Sequence, residues 1–118
     1  MWKDILDIGA QCHERFIELV NVPEIAALGI QLAGASNLSG RYCVSRAYPL
    51  EHTLFYTLSG QGTLETENGH YLLNENTLAV LPARESFSVT ISAQHWDIIW
   101  LNLSDSDKWR HLTHDLPT

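Results

Sequence analysis

The stretch 52-HTLFYTLSGQGTLETENGHY-71 carries the densest β pattern in the chain. Within 53–67 it holds two runs of β-branched, aromatic and aliphatic residues separated around Gly60 and Gly62. It then reaches Asn68-Gly69, the pair that a type I′ hairpin turn favours because both central residues need positive φ. The segment therefore reads as two strands and the start of a third, with His52 at one end and His70 at the other.

Strand signals continue on both sides. Downstream, "TLAVLPARESFSVTIS" offers a buried-looking strand, a loop at Pro82, and a run in which Phe87, Val89 and Ile91 alternate with Ser88, Thr90 and Ser92. "HWDIIWLNL" is a further strand, and "SDSDKWRHL" supplies Ser104 or Asp105 as the cap of a helix beginning in 105–118. Upstream, "LGIQLAG" and "GRYCVSRAYP" are extended runs separated by the turn-like cluster "ASNLSG". In the N-terminal segment 1–22, Trp2, Ile5, Leu6, Gly9, Cys12, Phe16, Leu19 and Val20 recur at steps of three and four, which predicts an amphipathic helix ending before Pro23. The expectation is one mainly β domain over 1–118: an antiparallel β-sandwich or barrel spanning 28–103, with helices only at its two ends.

Composition narrows the function. A chain of 118 residues with 45% hydrophobic content suits one core. Seven Lys and Arg against fourteen Asp and Glu give a net charge of −7, the wrong sign for a phosphate-binding surface, so the chain by itself is not expected to grip DNA. Residues 1–20 are too charged for a secretory signal, and no apolar run is long enough for a membrane span. A cytoplasmic location without a membrane partner is expected. Cys12 and Cys43 have no CxxC or CxxH spacing and read as reduced thiols. No Ser or Cys lies in a recognisable nucleophile elbow, so no catalytic residue is assigned.

The order of these motifs, "FYTLSGQGTL", the hairpin through "ENGHY", "LAVLPA" running into a proline loop, and the tryptophan strand "DIIWLNL", resembles the cupin domain that precedes the DNA-binding half of AraC-type transcription regulators. The resemblance covers residues 41–112 and implies a cupin-like jelly-roll barrel that senses a small-molecule effector. It further implies two helix-turn-helix units beyond Thr118, which alone would contact DNA. Homodimerisation through helices following the barrel is also implied, the first of them near Lys108 to His114.

Metal-binding cupins place their ligands at positions that hold Arg46, Tyr48, Thr53 and Phe87 in this chain. None of these is a metal ligand of the expected type, so neither metal nor any other cofactor is expected. His52, His70, His95, His111 and His114 read as surface or rim residues. With Thr53 facing inward, strand alternation turns Phe55 inward too, opposite a face made by Tyr42, Val44, Arg46 and Tyr48. Phe87 adds an apolar wall, and Trp96 and Trp100 share one face of their strand. The expected ligand site is therefore Arg46, Tyr48, Thr53, Phe55, Phe87, Trp96 and Trp100, with Arg46 either anchoring an anionic ligand or paired internally with Glu51, Glu65 or Glu67. Two other readings stay open: a stand-alone cupin enzyme of isomerase or dioxygenase type, and a structural cupin module.

Overall fold

A computed structural model describes residues 2–19 and 22–105. In chain order the elements are β1 (Ile5–Ile8), β2 (His13–Glu18), the single-turn α1 (Pro23–Ala26), β3 (Ile30–Ser39), β4 (Tyr42–Arg46), β5 (Glu51–Thr66), β6 (Gly69–Leu73), β7 (Leu78–Leu81) and β8 (Phe87–Ser104). Every pairing among the strands is antiparallel.

β5 and β8 have 16 and 18 residues, about three times the usual strand length, and each serves both halves of one curled sheet. Residues 62–66 of β5 pair with 87–91 of β8, and this half continues outward to β6 on one side and to β4 and β1 on the other. Residues 51–60 of β5 pair with 96–104 of β8, continuing to β7 on one side and to β3 and β2 on the other. The β5–β8 register shifts between Thr57 and Ser59 and again between Gly60 and Gly62. Those bulges fold the ladder over on itself, giving two facing layers in jelly-roll fashion.

The glycines make the fold-over sterically feasible. Gly60 has φ +80°, and a Cβ there would strike the carbonyl of His95. A Cβ on Gly62 would enter the indole of Trp96, and one on Gly34 the indole of Trp100. Each tryptophan thus lies flat on a glycine across the layer. Leu38, Val89, Trp96 and Ile98 are fully buried between the layers, with Tyr42, Phe55 and Phe87 around them. Tyr42 and Phe87 meet Trp96 and Phe55, respectively, edge to face, with ring centroids 6.1 and 6.3 Å apart.

The mainly β, barrel-like architecture is as expected, but three local expectations are corrected. Residues 5–8 and 13–18 are strands rather than one helix, so the sheet begins at Ile5 and not near residue 28. The backbone edges of β4 and β3 supply hydrogen-bond partners that a helix over 2–20 would have left open, and Gly9 turns the chain between them by donating to the Arg41 carbonyl at 2.7 Å. The presumed helical stripe is split accordingly, and Leu6 and Phe16 are 76% and 60% exposed. "ASNLS" is strand, not turn: Ser36 and Leu38 point into the core, and the chain reverses at Gly40 instead, where φ is +77°. The hairpin at Asn68 forms, but its loop residues Glu67 and Asn68 keep negative φ and only Gly69 is positive. The helix expected within 105–118 lies outside the described residues.

Tyr42 gives the fold a titratable mark. Burial pushes its hydroxyl well above the usual tyrosine range, with the nearby charges of Glu14, Cys12 and Cys43 adding to it. The folded protein then holds this proton where the unfolded chain, ionising near pH 10, releases it. Stability from this group is complete below pH ~10 and falls above it by up to about 1.4 kcal/mol per pH unit. In urea titrations wild type should lose stability relative to Tyr42→Phe as pH is raised from 9 to 11; parallel curves would contradict the burial of this hydroxyl.

Candidate ligand site

β6 and β7 both pair with β5, but with different halves of it: β6 with Gly62–Thr66 and β7 with Thr53–Tyr56. They are the edge strands of the two layers and do not pair with each other. The corner 74–77 joins them, fixed by the Thr57 amide donating to the Thr77 carbonyl (3.0 Å) and the Asn76 amide donating to the Thr57 carbonyl (2.8 Å). Asn76 takes φ +67° there and accepts a bond from the Tyr56 hydroxyl at 2.8 Å.

The gap left between these edges is a cavity of about 480 Å³, within the range of small-molecule sites. Its floor is apolar, formed by the inward side chains Leu64, Leu73, Ala79, Leu81 and Phe87. Tyr71, Leu72 and Leu78 stand at the mouth, with Thr66, Asn68, Thr77, Glu85 and Ser86 as its polar residues. On the opposite flank, the end of β1 and the turn that follows it bring Ile8 and Cys12 against the core.

Of the seven residues expected to bind ligand, only Phe87 lines this cavity. Phe55 lies in the core. Thr53 is buried and donates to Asn102 Oδ1 at 3.2 Å. Trp96 Nε1 donates to Thr57 Oγ1 (3.0 Å) and Trp100 Nε1 to Ser36 Oγ (3.0 Å), and Ser36 in turn donates to Glu14 Oε2 (2.7 Å). Both indoles are satisfied and seated on glycines, Trp96 fully buried in the interior and Trp100 partly buried against the core, so neither stands as an open aromatic platform.

Arg46 has the inward parity, directly opposite Phe87. As the last residue of β4, however, it reaches the rim, with Nη1 3.4 Å from Glu51 Oε1 and Nε 3.8 Å from Asp4 Oδ1. Tyr48, two residues beyond the strand, is 60% exposed. Since half-exposed ion pairs contribute little, Arg46→Met is expected to change stability by less than about 1 kcal/mol in chemical denaturation. A loss above about 3 kcal/mol would mark Arg46 as a buried structural charge.

Residues the sequence reading passed over matter at the far end of loop 82–86. His52 points away from the interior, as alternation requires, yet it is 4% exposed and not a surface residue. The Ala83 amide donates to His52 Nδ1 at 2.8 Å, which makes Nε2 the proton-bearing nitrogen, and Nε2 faces Asp105 Oδ1 at 3.4 Å. Arg84, held at φ +68° with its amide donating to the Pro49 carbonyl at 2.6 Å, pairs with Asp105 Oδ2. A loop whose Pro82, Glu85 and Ser86 line the cavity is thereby fastened to the end of β8.

One constellation has the composition of a hydrolase triad without its order. Ser59 Oγ donates to Asp97 Oδ2 (2.8 Å) and lies 3.2 Å from His95 Nε2. The carboxylate sits on the serine and not behind the histidine, so it does not orient the imidazole as a base. Among the described residues no three His, Cys, Asp or Glu side chains are grouped to hold a metal ion.

The model of the AraC-like ligand binding domain matches residues 31–113, and the chain belongs to that family. Its fold is that of the cupin superfamily. A cupin superfamily protein of Desulfitobacterium hafniense superposes with TM-score 0.66 at 13% identity, over 86% of this chain and 84% of that one. A predicted oxalate decarboxylase of Thermotoga maritima gives 0.64 at 12% identity, over 87% and 93%. The Cnp3 cupin domain of Schizosaccharomyces pombe gives 0.65 at 8% identity, over 95% and 77%. No curated protein matches the sequence.

Proposed function

We propose that this chain is the non-catalytic, effector-sensing part of an AraC-type transcription regulator in the cytoplasm, and that its effector binds in the cavity between β6 and β7. The observation that carries the reading is the double role of loop 82–86, which lines the cavity and holds Asp105 through Arg84. A molecule that favours one position of this loop shifts the population of arrangements at the end of β8, by no more than its differential affinity for them. A DNA-binding segment following the barrel would be presented accordingly.

Thermal-shift screening of metabolites tests this. A ligand at a hundred times its Kd should add about 2.7 kcal/mol to stability. Hits that require a transition metal, or that are turned over during the assay, would favour a cupin enzyme instead.

A further inference from the structure

We propose that the cavity between β6 and β7 selects a small apolar amine. This rests on the reading of the cavity as the ligand site and specifies the chemistry of its occupant.

The floor offers nothing but hydrocarbon and the Phe87 ring, so the body of the ligand is aliphatic or aromatic. Among the described residues that line the cavity, Glu85, on the loop at the mouth, is the only charged side chain. It makes no ion pair with a described residue. Among the described residues no Lys, Arg or His lines the cavity. Two described arginines on neighbouring elements are otherwise engaged: Arg46, opposite Phe87, with Glu51 and Asp4, and Arg84, adjacent to Glu85 in sequence, with Asp105. A carboxylate or phosphate would therefore shed water at the mouth without gaining a cation, whereas an ammonium group would keep partial hydration and meet Glu85. The net charge of −7 acts in the same direction at longer range.

Three probes sharing one ring system separate these contributions: tryptamine, indole-3-ethanol and indole-3-acetate, titrated to millimolar concentration against ¹⁵N-labelled protein. All binding should be read at the amides of Leu73, Ala79 and Leu81. Tryptamine is expected to bind about two- to fivefold more tightly than the alcohol, the size of an exposed charge pair, and the acetate more weakly than either. In Glu85→Gln the amine should fall to the affinity of the alcohol, while the alcohol is unchanged. Should the acetate match or exceed the amine at those amides, or the Glu85→Gln variant keep the amine preference, the amine assignment is wrong and the cavity remains a ligand site. Should none of the three probes perturb those amides, both the assignment and the cavity reading fail.

Discussion

Replacing Trp96 by Ala is expected to destabilise the domain by about 3–5 kcal/mol, the usual cost of truncating a buried aromatic side chain. The indole is completely buried, fits over Gly62, and touches Tyr42 and Phe55. Its truncation opens a void at the fold-over between the layers and leaves the buried Thr57 hydroxyl without the Nε1–H that it accepts. For a domain of this size the loss corresponds to a fall in Tm on the order of 10–20 °C. Calorimetry of the ligand-free variant checks it. A tryptophan serving as a ligand platform in an open barrel would instead be removed with little effect on the free protein.

The place of such a residue shows what local sequence can carry. Alternation from Thr53 turns Phe55 inward, and both are buried; one register slip would move every side chain to the other face. Gly60 and Gly62 stand out as interruptions, yet what they make room for, the His95 carbonyl at Gly60 and the Trp96 indole at Gly62, lies more than thirty residues away, so the continuity of β5 through them does not show locally. Helical spacing misled over residues 2–20, since strands of four and six residues are too short for periodicity to distinguish the two states and the open edges of β3 and β4 decided the matter.

The site was less legible than the fold for a related reason. A cavity between β6 and β7 exists because those two edges pair with different halves of β5, a property of topology that no single segment displays. Leu73, Ala79 and Leu81 therefore looked like ordinary core. The available signal was the small Ala79 between larger inward neighbours. For Arg46 the parity was read correctly and the depth was not: its position at the end of β4 puts Asp4 and Glu51 within reach.

Ala79 is also where the ligand site can be closed. It faces inward opposite Phe55 on β7 and borders the cavity floor, so a Trp side chain placed there projects into the space that a ligand would occupy. The measurement that bears most directly on the location of the effector site is thermal-shift screening of wild type, Ala79→Trp and Arg46→Met in parallel, with ¹H–¹⁵N spectra confirming that each variant is folded. Ala79→Leu serves as the milder substitution if the Trp variant is not. The result expected is a ligand whose roughly 2.7 kcal/mol stabilisation at a hundredfold excess over Kd is kept in Arg46→Met and lost in Ala79→Trp. A ligand whose effect survives Ala79→Trp and disappears in Arg46→Met would place the effector at the β4 rim and contradict a site between β6 and β7.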